Sequence, residues 1–235
     1  MLRLPSWARP AARASALALL LSVPLAVPSP AVPAGPAAEC TIIGSPGNDT
    51  LKGTSRGDVI CGLQGDDTIQ GLGGDDLILG SGGDDTVDGG EGNDRIFGEN
   101  GEDELAGGPG NDDINGGVLA DELFGGEGDD HLDPGDGRTI NGLYGGAGAD
   151  TLVGGVSHSF GEAGDDVLIG GVLMDGGEGD DDLRGSDGPN RLHGGPGDDT
   201  RDGGHGKDTL FGDEGADLLD GGGSLDTVSY DDGRT

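Results

Sequence analysis

The sequence predicts an all-β fold assembled from very short strands, and three observations predict it. The chain repeats itself with a period of nine residues, glycine opens every repeat, and a single aliphatic side chain recurs at the eighth position of the period. A fixed period of this size is the mark of a stacked repeat architecture, in which each unit buries its apolar side only against its neighbours.

The first run starts at Gly44 and reads GSPGNDTLK, GTSRGDVIC, GLQGDDTIQ, GLGGDDLIL, GSGGDDTVD, GGEGNDRIF, GENGEDELA, GGPGNDDIN, GGVLADELF and GGEGDDHLD, ten units ending at Asp133. Two isolated units follow, GGAGADTLV from Gly145 and GEAGDDVLI from Gly161. Six more run from Gly176: GGEGDDDLR, GSDGPNRLH, GGPGDDTRD, GGHGKDTLF, GDEGADLLD and GGGSLDTVS. The chain therefore divides into a leader (1–38), a first repeat block (39–133), an irregular region with interruptions (134–175) and a second repeat block (176–235).

Across the 18 units position 1 is always Gly, and position 4 is Gly in all but three, where Arg56, Leu119 and Ser224 stand. Position 6 is Asp except at Asn190, and position 8 is aliphatic except at Arg201. Acidic low-complexity sequence would scatter its aspartates over all nine positions, so this phase-locking needs a structural cause. Glycines allow positive φ and close backbone approach in a six-residue turn. The aspartate supplies a carboxylate, a hard oxygen ligand of the kind calcium prefers. The last three residues alternate out, in, out as a short strand, which turns the aliphatic side chain inward.

On these residues the chain resembles the RTX, or hemolysin-type, calcium-binding repeat family, whose unit is G-G-x-G-x-D-x-U-x. The resemblance covers residues 44 to 229 apart from three interruptions, at 134–144, 154–160 and 170–175. It implies a parallel β-roll, a right-handed β-helix or solenoid, in which successive units alternate between two sheets and two units make one turn. It also implies calcium between stacked turns, held by main-chain carbonyls and by the position-6 aspartates of units i and i+2. Carried onto this chain, Asp49, Asp67, Asp85, Asp103 and Asp121 line one edge of the first block, and Asp58, Asp76, Asp94, Asp112 and Asp130 line the other. Asp150, Asp166, Asp181, Asp199, Asp208, Asp217 and Asp226 extend the set of metal ligands. Pairs of units i and i+2 within the two blocks amount to about 12 calcium ions. The interruptions GGVSHSF and GGVLMD are too short for a unit and lack an aspartate at the usual turn phase, so a harmless loop or a compressed turn without calcium is expected there, with a dedicated binding loop as the alternative.

Composition explains why a cation is needed. Glycine contributes 55 of 235 residues, Asp and Glu together 46, aromatics only 3%, and the formal charge is −34. One inward aliphatic in nine residues makes a thin core, and a chain this acidic repels itself, so folding and calcium binding should be one coupled event. Nucleic acid is a poor partner, because no basic patch exists to release counterions from phosphate.

Arg3, Arg9 and Arg13 precede an apolar stretch from Ala14 to Val27, followed by small residues and prolines. This is the layout of a secretory signal, with cleavage after Ala31, Ala34 or Ala38. The competing reading is a membrane anchor, but Pro24 and Pro28 break a run already short of the roughly 20 apolar residues a span needs. Export would leave a secreted, extracellular protein with no integral membrane segment and a charge of −37, from 9 basic and 46 acidic residues. In that setting Cys40 and Cys61, the only cysteines, suit a disulfide closing a loop of about 20 residues and worth roughly 3 kcal/mol; two free thiols or an intermolecular bond are the alternatives. His131, His158, His193 and His205 show no zinc-like spacing with them.

No catalytic motif is found. Gly206-Lys207 is followed by Asp208, which leaves a phosphate-binding loop incomplete, and neither G-x-S-x-G nor H-E-x-x-H occurs. Thr50, Thr68 and Thr86 are 18 apart and would stack as a three-rung row ended by Glu104, which suits ordinary strand propensity better than an ice-binding or adhesive face. The expectation is a secreted, non-enzymatic calcium-binding roll with a structural, cell-surface or matrix role and an unidentified envelope or matrix partner. The alternative is a non-catalytic repeat module of a larger or truncated exported protein.

Overall fold

The computed structural model describes residues 39–135 and 139–230, so the leader assigned to 1–38 lies outside the described residues. Among these residues there is no helix, and the strands form two 11-stranded sheets, every pairing parallel. The chain alternates between the sheets, so that each strand pairs with the strand two elements away. The first sheet opens with Ile42–Ile43 and closes with Leu218–Asp220; the second runs from Thr50–Lys52 to Thr227–Tyr230. Stacked at the usual interstrand spacing, ten steps give a roll about 48 Å long.

Position 8 lies in the centre between the sheets, as the alternation requires. Ile60, Ile69, Ile78, Ile96, Leu105, Ile114, Leu123 and Leu132 are buried to 1% exposure or less and form one continuous core with their successors. Leu51 and Leu219 pack against its ends. Many strands are longer than the expected three residues: Thr68–Gly73, Leu77–Gly82 and Glu104–Pro109 each have six. Pairing continues into the following turn because the turns themselves stack in register, as Leu72 opposite Gly90 shows.

The two glycines that open half of the units serve different needs. In most units position 2 takes a left-handed backbone, with φ of 105° at Gly90 and 123° at Gly126; Leu63, Leu72, Ser81, Glu99 and Glu162 adopt it at 73° to 88°. For a side chain with a Cβ this costs roughly 1–2 kcal/mol each. Position 1 needs space instead. A Cβ on Gly62 would lie 2.5 Å from the Asp67 Oδ2 and 2.7 Å from the Gly80 carbonyl oxygen.

The interruptions are half-turns, each supplying a strand to the second sheet. They deliver Gly142–Ala147, His158–Ala163 and Leu173–Glu178, which pair in order between Glu122–Glu127 and Arg191–His193. Leu143, Ser159 and Met174 occupy the core position there, all with no exposure. The register thus makes GGVSHSF and GGVLMD compressed turns of the roll.

At the start of the roll Ile42–Ile43 pairs with Ile60 and Cys61, and Ile42 packs against the core. The entering chain is thus itself a strand of the roll. A disulfide joins Cys40 to Cys61, Cα to Cα 5.9 Å. Cys61 is 4% exposed although its position in the unit faces outward, because the bridged Cys40 segment lies against it.

Candidate metal sites along the two edges

Every turn that leads into the first sheet carries an aspartate at its sixth position from Asp58 onward. Asp58, Asp76, Asp94, Asp112, Asp130, Asp150, Asp166, Asp181, Asp199 and Asp217 make one unbroken column. Turns leading into the second sheet carry Asp49, Asp67, Asp85, Asp103 and Asp121, then Asn141, Ser157, Val172 and Asn190, then Asp208 and Asp226. The division of the first ten aspartates between two edges follows the alternation that the family resemblance implies. The sequence did not reveal that all three interruptions fall on the same edge, nor that Asn141, Ser157 and Val172 keep the phase; only strand register shows it.

Both columns use one hydrogen-bonding device. The main-chain N–H of each aspartate donates to the Oδ1 of the aspartate one turn further on, at 2.7 Å from Asp49 to Asp67 and 2.8 Å from Asp85's predecessor Asp67 to Asp85. Fourteen stacked pairs are joined this way, nine on the continuous edge and five on the interrupted one. Asn141 accepts in the same manner from Asp121, and Asn190 donates to Asp208, so an amide preserves the stacking while withholding the charge.

The other carboxylate oxygen is the informative one. In Asp67, Asp76, Asp85, Asp94, Asp103, Asp112, Asp130, Asp150, Asp166, Asp181 and Asp208 the Oδ2 is buried and accepts no hydrogen bond. It faces the position-1 glycine of its own unit and that glycine's counterpart carbonyl in the next turn, as the Asp67, Gly62 and Gly80 atoms do. A buried charged oxygen without a partner is costly, and a row of them on convergent carbonyls is a donor set that fits a cation. No cluster of three or more His, Cys, Asp or Glu side chains able to hold a metal occurs among the described residues. The donor set is carboxylate and main-chain carbonyl oxygen, which suits calcium and not zinc.

Burial drives the titration of these carboxyls upward. It lifts Asp85, Asp94, Asp103 and Asp112 from 3.8 to about 6, and Asp130, Asp166 and Asp181 to about 7, against the lowering effect of the donated N–H. Charges on neighbouring aspartates add to the rise. Asp58, at the exposed start of its column, moves the other way because Thr54 donates two hydrogen bonds to it.

Position 5 has a lesser role that sequence reasoning passed over. Its side chains accept from the main chain of the next turn in the opposite sense, Glu102 N–H to Asp84 Oδ1 at 2.9 Å and Asn111 N–H to Asn93 Oδ1 at 2.9 Å, on the exposed rim. The signal was present in the Asp and Asn preference of that position.

Comparison with curated proteins returned no match. A family model, RTX calcium-binding nonapeptide repeat (4 copies), matches residues 41–69, 52–87, 62–96, 88–121, 107–140, 143–157, 160–172, 175–206 and 202–234. With its period, its two parallel sheets and its stacked aspartate columns accounted for over nearly all the described residues, the chain belongs to the RTX calcium-binding nonapeptide repeat family.

Proposed function

We propose that this chain is exported, folds into its β-roll on binding extracellular calcium, and serves there as a structural, cell-surface or matrix component without catalytic activity. The observation that carries the proposal is the row of buried Oδ2 atoms with no hydrogen-bond donor. The apolar core alone is one side chain thick, and the carboxylates stacked beside it repel one another. Calcium, when bound, supplies two positive charges per site and accepts six to eight oxygens.

The chain's own residues set where that charge is needed. Position-1 glycines keep the space beside each Oδ2 clear, Oδ1 locks the next turn in register, and the position-6 aspartates of both columns are the assigned ligands. Asn141, Ser157, Val172 and Asn190 leave four turns of one edge without a carboxylate. One ion for each of the fourteen stacked pairs would supply about 28 positive charges against the −37 of the chain after the leader. Export rests on the arginine-then-apolar leader and on the single cysteine pair.

The test is circular dichroism of the chain from Glu39 onward during calcium titration. Coil-like spectra in chelator should give way to β signal at about 0.1 to 1 mM calcium, the range of extracellular modules. Full β content and a cooperative melt in chelator would overturn the coupling of folding to the ion.

A further inference from the structure

Arg201 breaks the repeat at its most regular position. It stands at position 8, in register between Leu183 and Leu219, where every other unit has an aliphatic side chain. Its side chain has no exposure, yet it does not end in the core. The guanidinium bends to the continuous edge, where Nη2 lies 2.5 Å from Asp199 Oδ2, 3.6 Å from Asp217 Oδ1 and 3.9 Å from Asp213 Oδ2. Nη1 donates to the Phe211 carbonyl. A Cβ on Gly194 would collide with both Nη2 and Asp199 Oδ2, so Nη2 fills the space that position-1 glycines elsewhere leave open beside the carboxylate.

Asp199 differs from its neighbours in the way this placement demands. Asp150, Asp166 and Asp181, the three preceding members of the same column, each have a buried Oδ2 without a donor. The Asp199 Oδ2 is buried too and receives a charge-assisted hydrogen bond from Arg201. A guanidinium is permanently charged and planar, with five donors suited to carboxylates, and a buried one needs such partners.

We infer that the Arg201 guanidinium is a built-in cation that replaces the metal ion at the rung between Asp199 and Asp217, so that this one rung of the continuous edge closes without calcium. The inference rests on the calcium reading of the other rungs. One of the fourteen stacked pairs then takes no ion, and the rung survives calcium depletion that empties the rest.

The test counts calcium per folded chain by equilibrium dialysis, for the wild type, Arg201→Leu and Asp217→Asn. Arg201→Leu restores the aliphatic residue and should bind one ion more than the wild type. Asp217 ends its column and pairs only with Asp199, so Asp217→Asn should leave the count unchanged, whereas Asp112→Asn, in mid-column, should lower it. An unchanged count in folded Arg201→Leu, or one ion lost in Asp217→Asn, would overturn the inference while leaving the calcium reading intact. If Arg201→Leu does not fold, the Asp217→Asn count decides. A wild type that binds no calcium at all would remove the calcium reading and this inference with it.

Discussion

Along one edge of the roll ten aspartates follow one another without a gap; along the other the column stops at Asp121 and resumes only at Asp208. The turns concerned also differ in length. Aspartate spacing on the continuous edge is 18 residues in the regular blocks and becomes 20, 16 and 15 from Asp130 to Asp181. All of that variation is taken up by half-turns of the opposite edge. An edge whose turns must each present a carboxylate and a cleared glycine tolerates no insertion or deletion. Where the carboxylate is absent, the backbone can shorten as long as the parallel ladder and one core residue are kept.

The comparison is broken most directly by mutating one turn on each side of the roll. Asp166 and Ser157 lie in neighbouring half-turns on opposite edges, where only the continuous edge carries a carboxylate. Asp166→Ala should cost about 2–4 kcal/mol of calcium-loaded stability and uncouple the repeats before it from those after it. Ser157→Ala, whose hydroxyl is buried without a partner, should be neutral or slightly stabilising. Equal losses in calcium-dependent melting would mean that both edges bear the load alike.

A second prediction uses pH. The three carboxyls lifted to about 7, Asp130, Asp166 and Asp181, are all on the continuous edge, while the interrupted edge reaches about 6 at Asp85 and Asp103. A carboxyl that titrates higher in the fold than its ordinary 3.8 binds more protons folded than unfolded, so it favours the fold at low pH and loses that effect as pH rises to its folded value. In chelator, acidification from pH 8 to 5 should therefore raise β content, beginning near pH 7 as Asp130, Asp166 and Asp181 take up protons and steepest below pH 6, where the carboxyls lifted to about 6 join them. The calcium needed for half-folding should increase over the same window as protons compete for the carboxylates. A circular dichroism signal that stays flat in chelator from pH 8 to 5 would show that burial of the carboxyls is not what opposes the calcium-free fold.

The smallest effect concerns the core beside the interrupted edge. Ser159 takes the place of the usual aliphatic residue between Leu143 and Met174, and its hydroxyl is fully buried without a partner. Ser159→Ala should raise calcium-loaded stability by about 1 kcal/mol. A fall in melting temperature would show that the hydroxyl is satisfied in solution.

Much of this molecule is written in its period. Gly at position 1, Asp at position 6 and an aliphatic at position 8 recur locally, so strand, turn and inward face could be read from one unit, while the alternation of edges came from the family resemblance. The cysteine pair was legible for the same reason, as a count within a short segment. What the sequence left undecided depends on register between turns. GGVSHSF and GGVLMD do not look like units, yet parallel pairing assigns Ser157 and Val172 to the aspartate phase and Ser159 and Met174 to the core phase. Ile42–Ile43 lacks the motif altogether and is a strand because Ile60 and Cys61 offer an unpaired edge beside it. Arg201 reads as a lone exception at a core position, and only the stacking of Asp199 over Asp217 shows where a long cationic side chain can go. Local chemistry determined the repeat; contact between turns 15 to 20 residues apart decided which edge is continuous and where its charge is met from within the chain.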